Sequence, residues 1–443
     1  MKYVVFTCAL VGVFLLTTIS ASAGVETINN PVASPAKDGL HGNDETSLAV
    51  QKSKRIITLD EAIRLAISQN ANLAAAFYEM EARQEAAQQT AILPNPFFRA
   101  EAEEFGGSGA YSGTDAMTSK IGISQEILLG GKLSKRKQLA EGEGRLAMIE
   151  REAQLVALAV EVSKRFLEVY IAQEKLQLAE SDLRLAQASA DVIGKRVASG
   201  EASPLEVTKF AIEVAAAKTV VNRMVTILDA ARLTLAASWG DAAAGFDGVA
   251  GDFVSVPPLQ DEDALLAQLK KNPTYRLLAE NVVQAQENLQ LAKAEAVPDL
   301  EVGGGIQRFE ETNDHAYFLE VSIPVPFFDR NQGGIAAAQA TLNKTKKEQE
   351  AGALALQTDL LGTLYRLQGV WENYLSMRDI IVPASEKVFT SVQKAYRLGE
   401  QDYLELLEAQ RSLVRARNAH LELLNELWEL KLEVDSLVGQ PFI

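Results

Sequence analysis

One cysteine, Cys8, and three histidines are all that 443 residues offer of the side chains that most readily bind metals or carry redox chemistry. Cys8 lies in an apolar stretch from Tyr3 to Leu16, between Met1-Lys2 and Ala21-Ser22-Ala23. That order reads as a secretory signal peptide over residues 1–23. The stretch is too short to span a bilayer comfortably. Cys8 sits inside it, not after it, so lipid attachment is not expected. The mature chain then has no thiol, which excludes a disulfide framework and cysteine catalysis. His41, His315 and His420 are scattered, with no His-x-x-x-His spacing, so no metal site and no cofactor are expected.

Other absences narrow the field further. After the signal no run of 18 apolar residues occurs, which argues against a transmembrane helix. Membrane β-strands remain possible, because each carries a much weaker signal. Basic residues are in deficit: without Lys2, 42 stand against 59 acidic ones, a net charge of −17. Such a chain is a poor nucleic-acid partner. The stretch Gly-Gly-Lys-Leu-Ser at 130–134 lacks phosphate-loop spacing. Met80, Met117, Met148, Met224 and Met377 form no stripe and read as packing. No nucleophile–base constellation is present, so an enzyme is not expected.

What is present is helix, in long pieces. Residues 24–56, with Pro31 and Pro35, read as a loosely ordered arm. Thr58, with Glu61 three residues on, has capping-box spacing and opens a helix running to about Ile92. Pro94 and Pro96 stop it. Two alternating stretches follow, separated by a Gly/Ser-rich loop. Phe98, Ala100 and Ala102 oppose Arg99, Glu101 and Glu103. Ile121, Ile123, Ile127 and Leu129 oppose Gly122, Ser124 and Glu126. Period two with one apolar face predicts strands.

From about Lys132 to Ala198 no proline occurs, and Leu139, Leu146, Ala153, Val160 and Leu167 repeat every seven residues. The run predicts one helix ~100 Å long. A helix from Ser203 to Ala236 and a Gly/Pro-rich linker come next. The order then repeats. A helix runs from about Asp261 to Ala296. Strands follow at Asp299–Arg308 and Ala316–Val325. A second long helix spans Gly334 to Leu398, kinked by Pro383. A last helix ends near Val438. Gly200 and Gly399 lie 199 positions apart, each followed by Glu and then by Leu-Glu (Leu205-Glu206, Leu404-Glu405). Asn70/Asn272, Pro94/Pro298 and Gly240/Gly439 keep nearly the same offset, which implies a duplication.

The organisation is therefore a signal (1–23), an arm (24–56), a first repeat (57–240), a linker (241–260), a second repeat (261–439) and a tail (440–443). The fold class is mainly α with a small β part and an internal twofold repeat. In each half the two shorter helices match the long one in length. Stacked end to end, they would pair with it as an antiparallel coiled coil, with Gly200 and Gly399 at one end and the strands at the other. Four strands cannot close a barrel, and open sheet edges are not tolerated in lipid. Three copies would supply twelve strands.

These features resemble the TolC-type outer-membrane efflux channels over about Ile57 to Gly439. The segments "LPNP", "SIPVPFFDRNQG" and "SGEASPLEV" are most similar to the branch that exports heavy-metal cations of the cobalt–zinc–cadmium kind. The resemblance implies a homotrimer with a 12-stranded barrel in the outer-membrane lipid of a Gram-negative bacterium and a periplasmic helical tunnel. It also implies docking to a periplasmic adaptor and an inner-membrane proton-driven pump. Drug efflux or secretion through the same architecture stays open, as does a periplasmic coiled-coil structural or adaptor-like protein.

At the tip, Glu405 and Glu408 fall three apart on one helical face. In a trimer they would converge six carboxylates into a cation-focusing ring. The resemblance places acidic residues at matching positions in the constriction. Glu206 is the first-half counterpart of Glu405, while Lys209 replaces the counterpart of Glu408. Asp402 is positioned to cap its helix. Gly200 and Gly399 suit positive-φ turns. The resemblance assigns those turns, with Leu205 and Leu404, to adaptor docking.

Overall fold

The computed structural model describes residues 55–253 and 260–439. The expected signal peptide, all but the last two residues of the arm, part of the linker and the tail fall outside the described residues. Strand β1 (Ile56–Thr58) leads into α1 (Leu59–Gln69), whose first turn is capped by Thr58, its hydroxyl accepting from the Glu61 N–H. The helix does not continue to Ile92. It stops at Asn70, in extended backbone, and α2 (Ala71–Thr90) starts afresh. The second half repeats the break, with α5 (Glu262–Leu269) and α6 (Pro273–Glu295) in place of one helix. Asn70 and Asn272 cap α2 and α6 through their side-chain oxygens, and Pro273 brings no N–H to continue α5.

The same two asparagines hold the stacked helices together. The long helix α3 (Lys132–Ala198, 67 residues) is followed by α4 (Pro204–Ala237), which starts on a Ser203–Glu206 capping box. Asn70 Nδ2 donates to the Ser238 carbonyl just past the end of α4, at 2.9 Å. In the second half α7 (Gln332–Ser376) passes through a π-helical turn (Met377–Ile381) into α8 (Val382–Leu398), and α9 (Tyr403–Val438) returns. Asn272 Nδ2 donates to the Ser436 and Leu437 carbonyls at the end of α9. Each amide thus caps one helix N-terminus and satisfies carbonyls left free at the C-terminus of the helix stacked on it. The end-to-end stacking expected from helix lengths is held at these two joints. Both α4 and α2 pack along α3, and α9 and α6 also touch it.

The expected kink at Pro383 takes the form of the π-helical turn. Proline lacks the N–H that the ladder needs, and the chain widens by a residue just before it. The linker hides a strand that composition does not reveal: β4 (Gly248–Ala250) pairs in parallel with β1. This two-stranded patch roofs the main core, where Phe166, Tyr170, Phe253 and Trp428 pack together and Trp428 Nε1 donates to the Phe253 carbonyl at 2.6 Å.

Strands β2 (Phe97–Glu103), β3 (Thr118–Ile127), β5 (Leu300–Phe309) and β6 (Asp314–Ser322) form one antiparallel sheet in the order β2-β3-β5-β6. Strand β6 stops at Ser322, short of Val325, because Pro324 and Pro326 have no N–H to donate. The pairing aligns Phe98, Ile123, Gly304 and Leu319 on one face and Arg99, Gly122, Gly305 and Phe318 on the other. Gly122 lies beneath the Phe318 ring, and Gly305 pairs with Phe318 across the ladder. A β-carbon on Gly305 would meet the Ile121 carbonyl directly.

Candidate functional site

Two regions carry the expected functional residues or surfaces: the tip where both halves turn, and the sheet. At the tip Gly200 (φ +81°) and Gly399 (φ +80°) adopt the left-handed conformation. Behind each glycine the next N–H reaches back five residues, Glu201 to Arg196 and Glu400 to Ala395. Both long helices therefore end on the same capping motif, which satisfies their last carbonyls. Leu205 and Leu404, one on each returning helix, are exposed.

The acidic residues divide into two kinds. Asp402 accepts from the Glu405 N–H at 3.0 Å and caps α9, as its position suggested. Glu405 and Glu408 are exposed on the first two turns of α9, and Glu408 meets Arg415 at 2.7 Å. Both partners of that pair are about two-thirds exposed, so the contact is weak. Glu206 differs. It is half-buried, closes the α4 capping box and accepts from Tyr396 Oη at 3.0 Å. Its carboxylate is committed to joining the halves. Lys209, at the position matching Glu408, lies over the Tyr403 ring.

Sequence reasoning missed the residues that tie the two turns together. Arg196 stacks on the Tyr396 ring at 4.5 Å and donates to its carbonyl at 2.9 Å. Arg411 pairs with Glu213. Beneath them lies a small core of Ile193, Phe210, Phe389, Tyr396, Tyr403 and Leu406. A usable signal was present in the duplication itself. Arg196–Tyr396 and Glu213–Arg411 are 200 and 198 positions apart, close to the repeat offset. Near-equivalent positions of the two halves therefore meet at the tip.

Further up the shaft, 18 residues from the turns at Gly200 and Gly399, Asp182 is buried and faces Arg417 at 3.7 Å, while Arg417 also meets Glu386 at 2.7 Å. Burial pushes the Asp182 carboxyl up to about 6, and Arg417 only partly opposes this. Among the described residues no group of three His, Cys, Asp or Glu side chains could hold a metal ion, and no helix is long and apolar enough to cross a membrane.

The sheet presents two unlike faces. Phe98, Ile121, Ile123, Tyr317, Leu319 and Val321 are all exposed on one. The other carries charge: Arg99 bridges Glu301 and Glu320, and Lys120 meets Glu103 at 2.8 Å. Among the described residues each of β2 and β6 has a partner on one side only. At the base, Lys132 at the start of α3 meets Asp299 before β5 at 2.6 Å and fixes the sheet on the shaft.

An open amphipathic sheet standing on paired helices ~100 Å long is the architecture of a channel subunit with barrel and tunnel parts. The chain belongs to the outer membrane efflux protein family, whose model matches residues 62–241 and 266–440. Membership places it among channel proteins, not enzymes. The cobalt-zinc-cadmium resistance protein CzcC of Cupriavidus metallidurans is 29% identical over 87% of this chain and 90% of its own length. The pyoverdine export outer membrane protein OpmQ of Pseudomonas putida is 24% identical, covering 82% of each. The crystal structure of the outer membrane protein VceC from Vibrio cholerae superimposes with a TM-score of 0.73 at 18% identity, covering 87% of this chain and 97% of that one.

Proposed function

We propose that this chain forms the outer-membrane duct of a tripartite efflux system and carries heavy-metal cations outward. Three copies join β6 of one to β2 of the next, closing a 12-stranded barrel, while their helices form the periplasmic tunnel. The carrying observation is the open sheet, exposed and apolar on one face, charged on the other, with an unpaired strand at each edge. In lipid every backbone group must be paired, so such a sheet is stable there only when further copies complete it. The duct is passive: an inner-membrane proton-driven pump and a periplasmic adaptor supply energy and coupling. Leu205 and Leu404, beside Gly200 and Gly399, form the adaptor-docking rim.

Similarity to CzcC supports metal cations as the substrate class. Similarity to OpmQ favours a second reading, export of an organic metal chelator through the same duct. Deletion of the gene tests both. Heightened sensitivity to cobalt, zinc or cadmium, restored by the intact gene, is expected. Unchanged metal tolerance with lost chelator secretion selects the second reading. Recovery of the mature protein as a soluble monomer would overturn both.

A further inference from the structure

Strand β5 carries three glycines in a row, Gly303, Gly304 and Gly305, and β3 beside it carries Gly122. They are not shared evenly between the two faces. At the centre of the charged face the two middle strands supply Gly122, Ser124, Gly303 and Gly305. On the apolar face the same strands supply Ile121, Ile123, Val302 and Ile306, and Gly304 alone is small. A sheet curls toward the face whose side chains leave room, and glycines mark such bends in barrel walls. The distribution therefore favours a sheet concave on its charged side.

Side chains from both edges lie across that hollow. Phe318 on β6 pairs with Gly305 on β5, yet its ring reaches one strand further. A β-carbon added to Gly122 on β3 would meet Phe318 Cζ at 2.9 Å. Two strand spacings are ~10 Å, so the ring runs along the sheet and does not stand up from it. From the opposite edge, Arg99 on β2 passes over β3 to bridge Glu301 on β5 and Glu320 on β6, the latter at 3.7 Å. Arg99, Ser124, Phe318 and Glu320 line one recess of about 340 Å³, and Ser124 within it is buried. Ordinary cross-strand pairs join neighbouring strands, as Glu103 on β2 and Lys120 on β3 do. Contacts that skip a strand draw in one face of the whole sheet.

We infer that Arg99 and Phe318 are assembly residues: lying across Gly122 and Gly305 from opposite edges, they hold the four strands curled toward the charged face before further copies arrive. This rests on the outer-membrane reading above and adds how the barrel closes. Three copies complete a ring only if each turns the wall through a third of a circle, and flat sheets do not close. A sheet already bent loses less free energy to ordering when its edges meet those of its neighbours. The span acts within one chain. Its loss therefore slows closure, while in the finished barrel the neighbouring copies hold the curvature.

The test dilutes the mature full chain from urea into phosphatidylethanolamine–phosphatidylglycerol vesicles and follows heat-stable trimers on gels over time. Phe318→Ala and Arg99→Gln are each expected to slow trimer formation several-fold and to leave the dissociation temperature of formed trimers unchanged. Phe318→Met, long enough to cross β5, should restore the rate. Glu103→Gln, which removes a pair between neighbouring strands only, should assemble as the wild type does. Wild-type rates for both Phe318→Ala and Arg99→Gln overturn the inference. So does a lowered dissociation temperature at an unchanged rate, or an equal slowing by Glu103→Gln. Failure of the wild-type chain itself to form trimers in the vesicles overturns the outer-membrane reading instead.

Discussion

Tyr396 Oη donates to Glu206 across the repeat, and that single bond sets two expectations. Burial raises the Tyr396 phenol to about 12, helped by the Glu206 carboxylate and opposed by Arg196. A group whose native pKa is raised contributes stability below its unfolded pKa and loses it as pH rises through the native one. Tyr396→Phe is therefore expected to lower stability by about 1 kcal/mol near neutral pH. In thermal melts the gap from wild type should narrow as pH rises from 10 toward 12. A constant gap would mean the hydroxyl acts through packing and not through its proton. Asp182 carries the opposite lesson. Its carboxyl is raised to about 6, so its favourable contribution is fully present below about pH 4 and is lost on the way to 6. At pH 7.5 the buried carboxylate costs stability, and Asp182→Asn is expected to stabilise on the order of 2 kcal/mol, leaving Arg417 paired with Glu386. Destabilisation at pH 7.5 would show that the Arg417 pair outweighs burial.

Helix ends and strand crossings fail for different reasons, and glycine separates them. At Gly200 nothing lies within reach of an added β-carbon, so Gly200→Ala is charged only the conformational cost of φ +81°, about 1–2 kcal/mol. Gly399→Ala should cost the same, and a melt that moves for one and not the other would break the symmetry of the two turns. At Gly305 the obstacle is backbone. Gly305→Ala is expected to abolish heat-stable oligomers on gels, while Gly333→Ala, with open space around it, leaves them intact. Elements of this size were legible in the sequence where a period ran long enough to be counted. The heptads from Leu139 to Leu167 place α3, and period-two alternation places all four sheet strands. The breaks at Asn70 and Asn272 were not legible, because an asparagine can sit inside a helical pattern and its second role, donating to a stacked helix, depends on residues more than 160 positions away. Strands β1 and β4, three residues each, are too short to show a period.

At the scale of the whole molecule, charge decides what the proposed duct admits. Glu405 and Glu408 are exposed on one face of α9, close to the tip, and three copies would set six carboxylates around an axis. Glu206 does not join them, since Tyr396 and the α4 cap hold it, and Lys209 offsets the first half's contribution. In the proposed trimer such a ring would be built by alternate helices, second half only, with gaps between its carboxylates. Such a ring raises local cation concentration through its field without dehydrating each ion, because exposed carboxylates in water attract over about a Debye length, ~8 Å at physiological salt. Replacing both residues (Glu405→Ala/Glu408→Ala) should lower cation-over-anion preference in single-channel recordings at 0.1 M salt. The difference should fade near 1 M, where the Debye length falls to ~3 Å. Glu206→Gln should instead leave selectivity unchanged and lower the melting temperature, because its carboxylate is engaged by Tyr396 and the α4 cap. If Glu206→Gln alters selectivity as much as the double variant, the half-ring assignment is wrong and both repeats line the constriction.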